Sequence, residues 1–513
     1  MLLLHNADIR TMHAAMPRAD AVIIDGGRFT YVGSLDGARL MLSGRRYVAM
    51  DAEGCTVTPG FNDAHMHLAH TAMRDLRVIL TGTRSVQELQ ARLREGLASA
   101  SNGWLIGEGW NQDAFDDRRL LTRADLDAVS TELPIVATRV CGHILAANSR
   151  ALAIAGVDVA DGILREDEQG AIWAKVPPIH ADQLVRAICG AEKRLFQQGL
   201  TSVQSDDLGS VPDGEEEALL RGIRDAGDAG RLRVRYAAQA LCGSLPSMRG
   251  FFSKSLQRLR GERFRMAHMK LLGDGSLGAR TAWLSAPYAD APETSGMRIY
   301  TDDALRDLVG EAAGHGMPVA IHAIGDAAAQ QVLDTLRSAG GTGLRHAIVH
   351  AQIMNAAQVA ACGTMGLVIM AQPIFLAADA PIVRARVGDA LADTSYRWRS
   401  MLGMGAHVAF GTDSPVEPFD TLPNLYCAIT RHAPGESLPY LPDEAFGMDE
   451  ALYAYTAAGA YASGEEAEKG RIWPGMAADL VRLDRRLDDR LPEQLLEARV
   501  LETYIGGEPV YRA

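Results

Sequence analysis

The sequence predicts an α/β fold: a (β/α)8 TIM-like barrel with an insertion after its first strand, plus a small β-sandwich domain formed by both termini. Three observations lead there. Short apolar runs alternate with amphipathic helical stretches through the middle of the chain, the signature of parallel strands with helical crossovers. Imidazole, amine and carboxylate side chains recur at the ends of these runs, where a barrel keeps its active site. Both termini carry strand and turn signals with no helical period.

Taken in order, residues 21–25, 28–32 and 46–51 read as short strands separated by turns such as Asp25-Gly26-Gly27. At the other end ADLVRL (478–483) and VLETYI (500–505), followed by Gly506-Gly507, read the same way. Neither end can close a core alone, so residues 1–56 and 470–513 are expected to form one composite sandwich. Between them, candidate strands lie at 55–62, 104–106, 135–140, 201–204, 233–239, 265–271, 318–322, 347–350, 367–371 and 408–410. That is two more than the barrel takes. The pair at 104–106 and 135–140 flanks a polar, acidic turn (NQDAFDDRR) and ends in no metal-binding side chain. Residues 76–185 are therefore assigned to an insertion within a barrel spanning 57–469.

Composition narrows the function. Of 513 residues 47% are hydrophobic and 22% charged, ordinary for a folded globular chain and unlike a disordered one. Acidic residues number 64 against 51 basic, a net charge of −13, and no Lys/Arg run offers a footprint for phosphates. Nucleic acid is excluded as a partner. The six cysteines lie far apart with no CxxC pair, which fits a reducing compartment. There is no basic n-region before Asp8, and no stretch reaches the roughly 20 apolar residues that span a bilayer. The expectation is a cytoplasmic protein that meets a small-molecule substrate and no membrane, with a homodimer as the default assembly.

Five strand ends carry the chemistry: Pro59-Gly60-Phe61-Asn62-Asp63-Ala64-His65-Met66-His67, His268-Met269-Lys270, Ile321-His322, Val349-His350 and Gly411-Thr412-Asp413. Side chains alternate along a strand, so His65 and His67 point to the same face and can reach one cation. Singly, each residue has a plainer reading: a polar strand face, a satisfied core histidine, a helix N-cap at Asp413. Together, imidazole and carboxylate at separate strand ends of one barrel form the ligand set of a hydrolytic metal such as zinc.

In this order and spacing the sequence resembles the amidohydrolase superfamily, in the branch of long enzymes similar to N-substituted formamide deformylases and YtcJ-like proteins (amidohydrolase family 3). PGFNDAHMHL resembles the first-strand metal motif, GLTSV the second strand, MKLLGDGSLGARTA the fourth, IHAIGDAA the fifth and FGTDSPV the eighth; PGMAADLVRLD resembles the strand that returns to the terminal sandwich. The resemblance implies that His65, His67 and Asp413 bind one divalent metal, that His322 and His350 bind a second, and that Lys270 bridges them as a carbamate made with carbon dioxide. Zinc is the first expectation, with manganese and iron also suited to these donors. A lysine is protonated at its ordinary pKa near 10.4, and burial beside cations would depress that value. His268, two residues before Lys270, competes as a polar group and keeps a one-metal site open. The resemblance also implies substrate contacts from Trp110, Arg139, His143 and Arg280, with the insertion covering the barrel mouth. Trp110 reads equally well as core, Arg280 as a salt bridge to a loop carboxylate, and Asp274 as a loop support or a tight turn.

The resemblance thus implies hydrolysis of a carbon–nitrogen bond other than a peptide bond, in a small amide such as an N-substituted formamide. Hydroxide generated at the metal attacks, with Asp413 as general base. The alternatives are deamination of a cyclic or aromatic amine at one metal, and carbamate or ester hydrolysis on the same residues. Deaminases of this superfamily place a glutamate three residues after the fifth-strand histidine; here that position is Gly325, followed by Asp326. A catalytically silent barrel would show a missing ligand, and none is missing.

Overall fold

The computed structural model describes residues 1–141, 143–339, 343–432 and 438–513. The chain divides into two compact units, Met1–Leu68 with Glu192–Gly209 and Leu220–Ala513, and Ala69–Ala191 with Ser210–Leu219.

The first unit holds eight parallel strands in sequential order: Phe61–Met66, Leu200–Ser205, Arg235–Leu241, Phe264–Leu272, Val319–Ala323, Ala347–His350, Val368–Ala371 and His407–Phe410. Their residues are almost all buried, as expected of strands enclosed by helices on one side and a barrel interior on the other. Register carries the polar ends to one level. Leu272 pairs with His322, and Ala323 with His350.

The ring closes just beyond the last strand. Asp413 N donates to His65 O and His67 N donates to Ser414 O, both at 2.8 Å. The buried Asp63 carboxylate accepts from Thr412 N at 3.1 Å and from Thr412 Oγ1 at 2.6 Å. A side chain on Gly411 would stand 2.6 Å from His65 N, so this close seam requires glycine.

One predicted strand is two. The run 55–62 divides into Thr56–Pro59, which joins the terminal sheet, and Phe61–Met66, which opens the barrel. The break falls at Gly60, where a Cβ would lie 2.1 Å from Thr201 Oγ1. Continuous hydrophobicity on both sides hides this change of sheet from a reading of periodicity.

Both termini enter one eight-stranded sheet. Its path runs Glu508–Arg512, Val500–Ile505, Leu480–Leu483, Thr56–Pro59, Leu2–Arg10, Arg18–Asp25, Arg28–Gly33, with Val48–Asp51 also paired to Leu2–Arg10. The last strand of that path returns to the carboxy-terminal segment, through a bridge between Arg28 and Ala477 and a bond from Phe29 N to Met476 O at 3.0 Å. The expected sandwich is thus a continuous sheet wrapped on one core that includes Leu4, Ile9, Val22, Phe29, Leu480 and Tyr504.

The second unit has its own five-stranded sheet, in the order Ile163–Arg165, Ile144–Ala147, Ile135–Arg139, Leu105–Trp110, Val78–Ile79. The two surplus strands of the sequence reading lie here. Their core includes Leu80, Leu89, Leu93, Trp110, Phe115 and Ile135. Among the described residues no helix is long and apolar enough to cross a membrane.

Candidate metal centre

The strand ends bring six predicted residues together. One ligand atom from each of His65, His67 and Asp413 lies within 4.8 Å of the others. Lys270 Nζ, on the fourth strand, stands 2.8 Å from His65 Nε2. The His65 and His350 rings are 5.8 Å apart, and those of His322 and His350 4.6 Å. All but His67 and His322 are buried.

Each imidazole has one nitrogen committed to an oxygen that can only accept, which fixes where its proton sits. His67 Nδ1 donates to Asp206 O at 2.9 Å. His65 Nδ1 donates to Gln239 Oε1 at 2.6 Å, and Gln239 Nε2 donates to Ala64 O at 3.0 Å, which orients the amide. His350 Nδ1 donates to Gln372 Oε1 at 2.8 Å, whose Nε2 donates to Met370 O at 2.9 Å. These three present Nε2 to the cluster. On His322, Nε2 donates to Gly275 O at 3.0 Å, which leaves Nδ1 as its acceptor atom.

The charges fit a cation. Asp413 Oδ1 is buried with no hydrogen-bond donor, while His65 Nε2 and His67 Nε2 face it at 3.3 and 3.2 Å. Burial alone would raise the Asp413 pKa, yet the facing imidazoles hold it well below the usual carboxylate value. Burial lowers His65 to about 3, with Lys270 adding to the effect. At His67 burial opposes the cation, but Asp413 outweighs it and lifts the pKa to about 9. Burial also lowers Lys270, offset in part by Asp206 and Asp413. An orphaned carboxylate oxygen, three oriented imidazoles beside it and a fourth next to them match the donor set of a divalent metal.

The other predicted residues lie elsewhere in the chemistry. Trp110 is fully buried in the core of the second unit, and its Nε1 donates to Ala137 O at 2.9 Å. His143, also in that unit, is exposed and bonds Glu166 Oε2 at 2.9 Å. Arg139 is held by Gln112 Oε1 at 2.6 Å and Asp113 Oδ2 at 2.9 Å. Arg280 is half-buried, and Asp290 takes its guanidinium in two bonds of 3.1 and 2.9 Å. His268 is buried and its Nε2 meets Arg345 O at 3.3 Å, away from the ligand cluster and toward the opposite end of the barrel. Asp274 is a loop support: its carboxylate accepts from Ile324 N, Gly325 N and Trp283 N at 2.8–3.0 Å.

Four residues escaped the sequence reading. Gln239 and Gln372 orient His65 and His350, Asp63 clamps the seam, and Asp206 follows the second strand with a buried carboxylate. Their signal is a polar residue at the end of an apolar strand: YAAQAL, VIMAQP, PGFND, TSVQSDD.

Eight parallel strands with these side chains at their ends define a barrel hydrolase. The chain belongs to the amidohydrolase family, whose model matches residues 48–511. It is 30% identical to YtcJ of Bacillus subtilis (strain 168), a protein assigned to the amidohydrolases, over 99% of this chain and 98% of that one. It is 27% identical to the N-substituted formamide deformylase of Arthrobacter pascens, over 99% of this chain and 97% of that enzyme. Among solved structures, a metal-dependent hydrolase from Pyrococcus furiosus superposes with a TM-score of 0.79 at 28% identity, covering 94% of this chain and 99% of that one.

Proposed function

We propose that the chain is a metal-dependent hydrolase of a carbon–nitrogen bond other than a peptide bond, acting on small amides and foremost on N-substituted formamides. The observation that carries this reading is Asp413 Oδ1, buried without a donor and faced by two imidazole nitrogens. A divalent ion bound there, zinc foremost, supplies the Lewis acidity that activates water and polarises a carbonyl. His65, His67 and Asp413 would hold one ion and His322 with His350 a second, with Lys270 between them. The lowered pKa of Lys270 supports its carboxylation, because carbon dioxide adds to the neutral amine, forming an N–C bond and releasing a proton. Asp413 accepts the proton of the attacking water and returns it to the leaving nitrogen. The likeness to a formamide deformylase favours N-formyl substrates.

Deamination fits less well. Gly325 occupies the position of the deaminase glutamate, and a Cβ there would lie 2.0 Å from Trp283 O. Its neighbour Asp326 is committed to the amide and hydroxyl of Ser285. Carbamate and ester hydrolysis would use the same residues and are separated by assay.

The test is metal analysis followed by turnover on N-benzylformamide, matching carbamates and esters, and aminated heterocycles, before and after chelation. Formate release that disappears on chelation and returns with zinc is expected. Full amidase activity in metal-free protein would overturn the reading, and ammonia release from a heterocycle would put deamination first.

A further inference from the structure

Asp206 is a buried carboxylate that the mechanism above does not use. It follows the strand Leu200–Ser205 and is only 6% exposed. Two backbone bonds to the first strand fix its place: Asp206 N donates to Met66 O at 3.1 Å, and Asp206 O accepts from His67 Nδ1 at 2.9 Å. The residue therefore brackets a metal ligand. Its charge acts chiefly on Lys270 and His67, and also reaches Asp413.

Asp206 Oδ1 has no hydrogen-bond partner. The neighbouring buried carboxylates are supplied. Asp63 accepts from His65 N, Thr412 N and Thr412 Oγ1, Asp274 from three backbone amides, and Asp207 from the Tyr236 hydroxyl at 2.5 Å. Lys270 does not fill the gap: its Nζ meets His65 Nε2 at 2.8 Å and makes no bond to Asp206 Oδ1. A buried carboxylate oxygen without a donor is costly, and a donor arriving with the substrate would remove that cost. A substrate hydrolysed at a carbon–nitrogen bond brings a nitrogen to within one bond of the attacked carbon. Where that nitrogen carries hydrogen, it is the donor nearest the reacting centre.

We propose that Asp206 accepts the N–H of the substrate nitrogen, so that the site selects secondary amides over tertiary amides and esters. This rests on the metal-dependent reading above and adds a specificity-determining residue to it. A site built around such a bond rejects the analogue that lacks it, because the acceptor is then left unpaired.

The test reads binding rather than turnover. Protein loaded with cobalt(II) is titrated with benzohydroxamic acid, which chelates through two oxygens and carries an N–H, and with N-methylbenzohydroxamic acid, which keeps the oxygens and lacks it. The cobalt d–d spectrum reports both. Wild type is expected to bind the N–H ligand at least about 10-fold more tightly, and Asp206→Ala to bind the two alike. Asp206→Asn, the second variant should Asp206→Ala not fold, keeps a weaker neutral acceptor and is expected to lose at least about three-fold of the preference. Equal binding by wild type, or a preference unchanged in either variant, would overturn the proposal while leaving the metal reading intact. Failure of wild type to take up cobalt would overturn the metal reading, and this one with it.

Discussion

The backbone amide of Asp413 donates to the carbonyl of His65 at 2.8 Å, so the bond that closes the barrel also sets the His65 and Asp413 side chains face to face. Closure and site assembly are one event. The bond belongs to the backbone, and Asp413→Asn should keep it while removing the charge that ligation and proton transfer need. A fall in kcat of about 10²–10⁴-fold is expected, the usual worth of a positioned acid–base group. Wild-type turnover in the variant would remove Asp413 from the proton-transfer role.

Lys270 separates a carbamate-bridged centre from a plain imidazole one. It is 1% exposed, and its Nζ touches His65 Nε2. Metal-loaded protein equilibrated with ¹³C-bicarbonate is expected to show one carbamate carbon resonance that Lys270→Arg lacks, because a guanidinium stays protonated and does not add carbon dioxide. Metal affinity in the variant should fall by at least the roughly 10–100-fold typical of losing an outer-shell partner. Absence of the resonance in fully loaded wild type would mean that Lys270 remains an amine.

The eight barrel strands and the six side chains that cluster at their ends were legible in the sequence because both depend on local pattern. An apolar run with a histidine or aspartate at its end announces itself without knowledge of its neighbours. What stayed hidden depends on pairing across the sheet. Gly60 separates one strand from the next at a point where Thr201 Oγ1 passes 2.1 Å from where its Cβ would be. Gln239 and Gln372 matter through the imidazoles they orient, 174 and 22 residues away along the chain. His268 and Lys270 look equivalent at a spacing of two, yet His268 bonds Arg345 O while Lys270 meets His65. Asp206 sits in a run of polar residues, QSDD, where the sequence offers no reason to choose it over Asp207.

Trp110 tests the substrate contacts implied by the family resemblance. Its ring is fully buried against Phe115, and its Nε1 is bonded to Ala137 O. Trp110→Phe removes that bond and some volume from a packed core, so a stability loss of about 1–3 kcal/mol is expected with KM unchanged. A raised KM at unchanged stability would instead make Trp110 a substrate contact.

Asp379 gives the protein a pH dependence separate from the metal ligands. Burial lifts its pKa to about 6, against the hydrogen bonds it accepts from Tyr396 and Gln352. In the unfolded chain the same group titrates near 3.9. A folded pKa above the unfolded one means the folded state holds the proton longer. The contribution to stability is therefore intact below about pH 4 and is lost as pH rises through about 6. At about 1.4 kcal/mol per pH unit, roughly 1 kcal/mol of that loss falls between pH 5 and pH 7. Asp379→Asn keeps an acceptor for Gln352 and does not titrate. Urea unfolding of both proteins at the two pH values is expected to show the variant gaining about 1 kcal/mol relative to wild type from pH 5 to pH 7. A difference that is the same at both values would show that Asp379 is ionised in the folded protein throughout.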